Sequence, residues 1–245
     1  MKVLTCLKSR QSYLYKGEGD FHSKEGKIEE KTILEHPRGI IENHLGKRFA
    51  VCDANDKDKE LKMKRGPQIL TPKDLGYIAA RTGLSKHSKV VEAGAGSGAA
   101  TLFFSKIAKE VQSYEIREDH VKIVQTNLNS FCTDKNVNLI LGDIAEKIEE
   151  EKDIDLLFLD LPEPVRILEK NLSKSVNSGH YVVCYLPSMT QVSELVNYCK
   201  DTEQYLAEEV SEIIFRKWKV SGNIAHPEHQ KETDHTAFLV FVRVL

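Results

Sequence analysis

The sequence predicts an α/β protein built on a mostly parallel sheet with helices on both faces. Three observations lead to this fold class. From Lys89 onward, apolar strands alternate with amphipathic helices, which is the pattern of a parallel sheet. The first of these strands ends in a glycine-rich turn that leads at once into a helix-forming run. The last two strands have no helix between them, so we expect an antiparallel hairpin at the edge of the sheet.

The expected elements follow the chain in order. The predicted strands are Val90–Ala93, Val111–Tyr114, Asn138–Leu141, Leu156–Leu159, Tyr181–Tyr185, Val210–Lys219 and Ala237–Leu245. The predicted helices between them are Ala99–Ala108, Glu118–Phe131, Pro164–Asn171 and Thr190–Lys200. A further helix is expected to begin at Pro72, since Thr71 can cap it and Gly83 can end it. Trp218 closes an apolar run and is expected in the core.

Two domains are predicted, a small β-rich domain over residues 1–60 and a main α/β domain over residues 61–245. Short alternating patches such as Ser12–Tyr15 are separated by glycines in the first fifty residues, which indicates short strands joined by tight turns. The charged stretch from Asp53 to Arg65 is interpreted as a loop or linker.

Composition excludes several classes of protein. With 245 residues and 40% hydrophobic residues the chain can bury a sizeable core, and its net charge of −2 is not that of a basic nucleic-acid binder. Residues 1–66, however, hold 15 Lys and Arg against 11 Asp and Glu, a net of +4. This balance suits contact with a polyanion, although an ordinary solvated surface explains it equally well.

Cysteine usage and hydropathy predict a cytoplasmic protein. The five cysteines form no C-x-x-C pair, and most lie in apolar runs, which favours reduced core thiols in a reducing compartment. No apolar run approaches the 18 residues of a membrane span, so no membrane partner is expected. The start of the chain lacks the apolar stretch of a signal peptide, and we expect none.

The glycine-rich turn points to a nucleoside cofactor. Glycines 94, 96 and 98 follow the acid Glu92, and glycine can take positive φ so that a ligand lies against the backbone. The helix that follows offers free N–H groups at its start. Glu115 ends the next strand, where a carboxylate can accept both hydroxyls of a ribose. The spacing differs from the dinucleotide fingerprint G-x-G-x-x-G, and a glycine turn can also simply let a strand meet a helix.

Acidic residues stand at the ends of four predicted strands, namely Glu92, Glu115, Asp143 and Asp160. The carboxyl ends of adjacent parallel strands line one crevice, so we expect these four side chains to cluster there. Asp143 is placed to meet the adenine amino group of a nucleoside. Aspartate is also a common helix cap, so each acid alone has a structural explanation, but four in register favour a site.

The E-x-G-x-G-x-G turn resembles the first motif of class I S-adenosylmethionine-dependent methyltransferases. This resemblance implies a Rossmann-like sheet and S-adenosylmethionine as the cofactor. The chain as a whole, from about residue 17 onward, resembles the tRNA adenine-N1 methyltransferases that act at position 57 or 58 in the T-loop, especially the archaeal and bacterial type. The matching segments are Gln68–Asp74, Glu92–Gly98, Tyr114–Arg117, Gly142–Asp143, Asp160–Pro164 and His235–Leu239.

This resemblance also implies a substrate, an assembly and a set of site residues. The substrate is tRNA, the assembly is a homotetramer, and no metal is expected. Asp160 is the implied catalytic residue: it accepts a hydrogen bond from the exocyclic amine of the target adenine, after the base has been flipped out of its stack. That bond pushes electron density toward N1 and fixes the ring. The implied cofactor contacts come from Glu92, Gly94, Gly96, Ser97, Gly98, Ala99, Ala100, Glu115, His120, Asp143, Ile144 and Asp160.

Three positions depart from the family pattern. Val165 stands where the family usually has Trp, Thr71 where it often has Tyr, and His226 before Pro227 where it usually has Arg. All three lie where the family meets its target base or RNA.

Other hypotheses remain open from the residues. Protein-isoaspartyl and precorrin methyltransferases share the first motif but do not explain Asp160-Leu-Pro-x-Pro together with the terminal His-Thr-Ala-Phe. A non-catalytic RNA-binding subunit would lose the glycine turn and the strand-end acids, which this chain keeps. His226, His229 and His235 have a spacing that could ligate zinc, but with no cysteine nearby and Pro227 among them we favour a substrate-facing loop.

Overall fold

A computed structural model describes the chain except for residues 60, 61, 65, 67–69, 133, 134 and 228–234. The chain divides into two compact units, Met1–Lys64 and Arg65–Leu245. Gln68 and Ile69 of the first matching segment, and His229 of the histidine-rich stretch, lie outside the described residues. Within the described part of the chain, no helix combines the length and the apolar character needed to cross a membrane.

The first unit is a small antiparallel β structure. Its strands are β1 (Lys2–Cys6), β2 (Ser12–Tyr15), β3 (Phe21–Ser23), β4 (Gly26–Ile28), β5 (Gly39–Glu42) and β6 (Arg48–Asp53), and its helices are α1 (Glu30–Glu35) and α2 (Asp56–Lys59). Four strands form a sheet in the order β2-β1-β6-β5, and β3 pairs with β4 as a separate hairpin. Leu4, Ile33 and Phe49 are fully buried in its core. The segment expected to be a linker therefore contains one short helix, α2.

The second unit carries the strands and helices of the predicted α/β fold. Its strands are β7 (Lys89–Ala93), β8 (Glu110–Glu115), β9 (Val137–Leu141), β10 (Ile154–Leu159), β11 (Val176–Leu186), β12 (Tyr205–Ser211), β13 (Trp218–Ser221), β14 (Ile224–Pro227) and β15 (Phe238–Val244). Its helices are α3 (Pro72–Thr82), α4 (Ala99–Ser105), α5 (Glu118–Phe131), α6 (Ile144–Lys147), α7 (Val165–Leu168) and α8 (Met189–Asp201), with a 3-10 turn at Leu172–Lys174.

Seven strands form one sheet in the order β12-β15-β11-β10-β7-β8-β9. The five strands from β11 to β9 are parallel, whereas β15 runs antiparallel to both β11 and β12. The chain moves from β7 to β8 on one side and returns to β10 on the other, so the strand order reverses between β7 and β10. In open α/β sheets, ligands bind at the carboxyl ends of the strands at this point.

Both faces of the sheet are buried, as a parallel sheet requires. Neighbouring residues of one strand enter two different cores because side chains alternate along a strand. Val90 and Leu156 pack on the side of α3 and α4, whereas Val91 and Leu157 pack on the side of α6, α7 and α8. The predicted class I sheet with antiparallel carboxy-terminal strands is confirmed.

The boundaries of several predicted elements are wrong. The final antiparallel pair is β12 with β15, but the strand expected at Val210–Lys219 ends at Ser211, and β13 and β14 form a separate hairpin after it. Trp218 is exposed on β13, not buried. The start of strand β12 was not predicted, because two consecutive glutamates, Glu208 and Glu209, are typical of loops. In the structure Arg81 forms ion pairs with both of them.

Two predicted helices are shorter than expected. The helix predicted at Pro164–Asn171 is only α7, which ends at Leu168, and Asn171, with φ of 53°, caps the 3-10 turn that follows. The helix predicted at Ala99–Ala108 ends at Ser105. Helix α3 agrees with its predicted bounds and ends at Gly83 in the left-handed region, as the sequence indicated.

Candidate active site

The turn between β7 and α4 depends on glycine at two positions. Gly94 has φ of +92°, and a Cβ there would lie 2.3 Å from the carbonyl oxygen of Asp160. Gly98 has φ of +80°, and its Cβ would lie 3.1 Å from a methyl carbon of Val124 on α5. Glycine is therefore needed both for the left-handed backbone and for the close approach of the β10 end to this turn.

Glu115 holds this turn with both of its oxygens. The backbone N–H of Gly96 donates to Oε2 at 3.0 Å, and the N–H of Arg117 donates to Oε1 at 3.0 Å. The ring of His120 lies 3.6 Å from Oε2. The carboxylate is buried and faces the crevice, and each oxygen has a further lone pair for a ligand hydroxyl.

Glu92 lies under the turn, on the side of α4. Its Oε2 accepts hydrogen bonds from Thr101 Oγ1 at 2.6 Å and Ser113 Oγ at 2.8 Å, whereas its Oε1 is buried and has no hydrogen-bond partner in the described chain. Burial raises the pKa of Glu92 to about 7, against the two hydrogen bonds, which lower it. The nearby charges of Asp160 and Glu115 add to this rise, so Glu92 lies close to two of the other strand-end acids, as expected. Its carboxylate nevertheless ties β7 to α4 and β8 and lines neither of the cavities described below.

Asp160 differs from the other three acids in that its carboxylate has no hydrogen-bond donor among the described residues at either oxygen. It follows β10, and its backbone N–H donates to the carbonyl of Ala93 at 3.0 Å, which fixes it beside the glycine turn. No side chain or N–H group of the described residues donates to its carboxylate. Burial raises the pKa of Asp160 to about 6, and the nearby negative charge of Glu115 adds to the rise.

Asp143 is held by two partners after β9. Its Oδ1 caps α6 by accepting the N–H of Ala145 at 2.9 Å, and its Oδ2 accepts a hydrogen bond from the guanidinium of Arg166 on α7. Burial acts to raise the pKa of Asp143, but these two interactions outweigh it, and the pKa lies below its usual value. Asp143 is therefore an ionised acceptor at neutral pH.

Two adjoining cavities open along the carboxyl ends of the strands. The first, of about 160 Å³, includes Asp143, Ile144, Glu163 and Arg166 in its lining; the second, of about 270 Å³, includes Ser97, His120 and Asp160. Gly94, Glu115, Ile116 and Leu161 line both, so the two cavities form one crevice with Glu115 at its middle. Nine of the predicted cofactor residues line it: Gly94, Gly96, Ser97, Ala99, Glu115, His120, Asp143, Ile144 and Asp160.

The remaining predicted cofactor residues support the crevice from behind. Glu92, Gly98 and Ala100 line neither cavity. Sequence reasoning missed Asn127, which is buried on α5 and donates from Nδ2 to the carbonyl of Ser97 at 2.8 Å. Its signal was a polar residue on the face of α5 that also buries Val124 and Leu128.

The two segments around Pro-Lys-Asp and His-Thr-Ala-Phe meet in space. Asp74 is fully buried; its Oδ1 accepts Lys73 Nζ at 2.7 Å, and its Oδ2 accepts Thr71 Oγ1 at 2.9 Å and Thr236 Oγ1 at 3.0 Å. Lys73 Nζ also donates to Thr236 Oγ1 at 2.8 Å. Tyr185 lies close by; burial raises its pKa to about 12, so the hydroxyl stays protonated. We call Thr71, Lys73, Asp74 and Thr236 the clasp, because it fastens the start of α3 to the start of β15.

The histidine-rich stretch makes contacts of its own. His235 Nδ1 lies at hydrogen-bonding distance from Glu212, and its ring packs against Phe238. The hydrogen bond to Glu212 raises the pKa of His235. Among the residues that the structure covers, no three His, Cys, Asp or Glu side chains are grouped to hold a metal ion.

The sheet is parallel except for the antiparallel strands at one end, and a glycine turn stands at its strand-order reversal with a buried acid at the end of the next strand. This architecture is that of a class I S-adenosylmethionine-dependent methyltransferase. The chain belongs to the family of tRNA methyltransferase complex GCD14 subunits, whose sequence model matches residues 60–237.

The similarity to known proteins covers nearly the whole chain. A tRNA (adenine(58)-N(1))-methyltransferase TrmI of Thermus thermophilus is 36% identical over 97% of this chain and 95% of its own length. A tRNA (adenine(57)-N(1)/adenine(58)-N(1))-methyltransferase TrmI of Methanocaldococcus jannaschii is 31% identical over 99% and 94%. The crystal structure of the tRNA (m1A58) methyltransferase TrmI of Aquifex aeolicus superposes with a TM-score of 0.87 at 31% identity, over 100% of this chain and 96% of that one.

Proposed function

We propose that this protein transfers the methyl group of S-adenosylmethionine to N1 of an adenine in the T-loop of tRNA, at position 57 or 58. The observation that carries the proposal is the Asp160 carboxylate: it is largely buried beside the glycine turn and is free of protein donors in the described chain, so it can accept a hydrogen bond from a substrate. Relatives over nearly the full chain act on adenine N1 in tRNA by name.

The residues of the crevice fit S-adenosylmethionine. Glu115 stands between the two cavities, where its free lone pairs suit the two ribose hydroxyls. The cavity with Ile116, Ile144 and Asp143 combines apolar faces with an ionised acceptor, which suits an adenine ring and its amino group. The backbone of Gly94 and Gly96, with Asp160 opposite, suits the methionyl part and its positive charge. The bound cofactor supplies an activated methyl group on its sulfonium.

Asp160 performs three tasks in this mechanism. By accepting a hydrogen bond from the exocyclic amine of the target adenine, it fixes the ring so that N1 is in line with the methyl carbon and sulfur. The same bond increases electron density on N1. Methyl transfer moves the positive charge from sulfur to the adenine ring, and a carboxylate beside that ring stabilises the charge as it develops. Since N1 is hidden in a paired or stacked base, the nucleotide must be flipped out first.

A single assay tests this function. Purified protein is incubated with unmodified tRNA and methyl-labelled S-adenosylmethionine, and the nucleosides are analysed by mass spectrometry. We expect N1-methyladenosine with the wild-type protein and none with Asp160→Ala. Calorimetry should show that this variant still binds the cofactor. Transcripts with either adenine 57 or adenine 58 replaced then assign the position. Label on a peptide rather than on tRNA, or full activity of Asp160→Ala, contradicts the proposal.

The alternatives predict different outcomes of the same assay. A protein-isoaspartyl enzyme labels peptide, a precorrin enzyme labels neither peptide nor tRNA, and a non-catalytic RNA-binding subunit does not bind the cofactor. We favour the tRNA activity over all three, because the relatives that match nearly the whole chain carry it in their names and nine of the predicted cofactor residues line the crevice.

We also infer that the protein is a cytoplasmic homotetramer. Ile214, Phe215, Trp218, Val220 and Ile224 are large apolar residues that are each more than half exposed on or beside the β13–β14 hairpin. Clustered exposed apolar residues indicate a protein contact, and a lone two-stranded sheet is only marginally stable in water. Light scattering coupled to gel filtration should give four copies, and Val220→Lys should give smaller species. None of the five cysteines forms a disulfide bond, which supports a reducing compartment.

A further inference from the structure

The ion pair between Asp143 and Arg166 joins the start of α6 to α7 at the carboxyl edge of the sheet. Asp143 follows β9, whereas Arg166 lies on α7, six residues after Asp160 at the end of β10. Strand β9 is at the outer edge of the sheet and β10 is near its middle, separated from β9 by β7 and β8. The pair therefore spans the mouth of the first cavity, and both side chains line it.

The surroundings of the pair show what each partner does. One oxygen of Asp143 is already committed to the N–H of Ala145, so the direction of the second oxygen depends on Arg166. Arg166 is half-exposed and is the one cation among the residues that line this cavity. The apolar floor beneath it comes from Ile144 and Ile167, which are both buried.

We propose that Arg166 is a positioning residue for cofactor recognition: its guanidinium fixes the Asp143 carboxylate so that this carboxylate selects a ligand carrying an adenine amino group. This rests on the proposed function, because it takes the first cavity as the adenine site. A carboxylate held by a fork-shaped donor has few rotamers left, so less ordering entropy is lost when it accepts a hydrogen bond from the ligand. Arg166 thereby acts on the affinity for the cofactor rather than on methyl transfer.

A comparison of two ligands isolates this effect. S-adenosylhomocysteine carries the amine, whereas S-inosylhomocysteine has a carbonyl oxygen in its place, and calorimetry measures the dissociation constant of each. We expect the wild-type protein to prefer the adenosyl ligand by about tenfold to 100-fold, the range for one hydrogen bond to a charged group. In Arg166→Ala the preference should fall to about threefold or less, chiefly through weaker adenosyl binding. Arg166→Lys should restore part of it.

Controls separate positioning from loss of structure. Lys147→Ala removes a cation of α6 that pairs with Glu150 and does not line the cavity, so its preference should equal that of the wild type. In turnover assays, Arg166→Ala should raise the KM for S-adenosylmethionine about tenfold and leave kcat and the KM for tRNA unchanged. A structural defect would instead lower the melting temperature without ligand and reduce kcat.

The possible outcomes are distinct. Wild-type protein that binds neither ligand overturns the proposed function itself. Wild-type protein that binds both equally, or an Arg166→Ala variant that keeps the full preference, overturns the role of Arg166 and leaves the methyltransferase function standing. Loss of the preference in Arg166→Ala, with unchanged kcat and partial rescue by Arg166→Lys, supports the inference.

Discussion

The two sides of the crevice treat their carboxylates in opposite ways. On the side of the glycine turn, both oxygens of Glu115 accept backbone N–H groups. On the side of β10, the carboxylate of Asp160 is largely buried with no donor from the described residues, and burial raises its pKa to about 6. The Glu115 carboxylate holds the backbone of the glycine turn, whereas the Asp160 carboxylate is left available to a ligand.

On the proposed function, the first kind of carboxylate serves cofactor binding and the second kind serves methyl transfer. A carboxylate with satisfied hydrogen bonds stabilises the fold and presents a rigid surface to the cofactor. A buried carboxylate without donors destabilises the fold, because its charge has lost water and gained nothing in return. On the proposed function, Asp160 is retained as such a group because the substrate supplies the missing donor. The comparison can be tested by changing residues on each side and measuring stability and activity separately.

Gly94→Ala should abolish cofactor binding and activity. The substitution puts a Cβ 2.3 Å from the backbone oxygen of Asp160 at a φ of +92°, so the two sides of the crevice must move apart. Left-handed strain and overpacking together should lower the free energy of unfolding by at least about 2 kcal/mol, measured by urea denaturation. Gly76→Ala is the matched control: it lies inside α3 with open space around it, and should stabilise the protein by about 0.5–1 kcal/mol. Binding retained by Gly94→Ala would show that the close approach is not needed.

Asp160→Asn should lower kcat by about 100- to 1,000-fold and yet stabilise the protein above pH 6. The carboxyl has a pKa of about 6 when folded and a lower one when unfolded, so the folded state holds the extra proton between about pH 4 and pH 6. Stability is therefore lost as pH rises through this window, by about 3 kcal/mol at pH 8. Asparagine removes that loss, so the gain in melting temperature should be present at pH 8 and vanish near pH 4.

Asp155, near the start of the same strand, gives the contrast. It accepts the N–H of Lys89 at 2.8 Å and Asn177 Nδ2 at 2.9 Å. Asp155→Asn should destabilise the protein at pH 8 and leave kcat unchanged. A stabilised Asp155→Asn, or a destabilised Asp160→Asn, would remove the distinction between the two acids.

Glu115→Gln should weaken cofactor binding by about tenfold or more and lower stability by about 1–3 kcal/mol. The amide NH₂ of glutamine must face one of the two N–H groups of Gly96 and Arg117, since both oxygens of Glu115 are used as acceptors. Calorimetry and urea denaturation measure the two effects. Glu110→Gln, at the other end of β8, should change neither by more than about 0.5 kcal/mol. Equal behaviour of the two variants would argue against the holding role of Glu115.

Thr236→Val should cost about 1–2 kcal/mol of stability, since it removes the hydroxyl that Lys73 and Asp74 share in the clasp. Asp74 is fully buried and keeps its bonds to Thr71 and Lys73, so the variant should still fold. Thr126→Val on the exposed face of α5 is the control and should stay within about 0.5 kcal/mol. A Thr236→Val variant as stable as its control would mean that the clasp does not fasten α3 to β15.

Prediction from sequence succeeded where the signal is local. The glycine turn, the alternation of strands and helices and the start and end of α3 are set by neighbouring residues, and the structure confirms them. Prediction failed at β12, because Glu208 and Glu209 lie on a strand only through their partners Arg81 and Arg243, which are distant in the chain. The early end of α7 was missed because no glycine or proline directly follows Leu168 to mark it.

The sequence alone determined the class of fold, the cofactor turn and the acids at the strand ends, because periodicity and turn chemistry act over a few residues. Only the tertiary structure decided what each acid does. Glu92 turned under α4, Arg166 met Asp143, Lys73 met Thr236 and Asp160 stayed without a donor among the described residues. Burial and hydrogen-bond partners belong to the folded chain, and they decide which carboxylate supports the fold and which one is left available to a ligand.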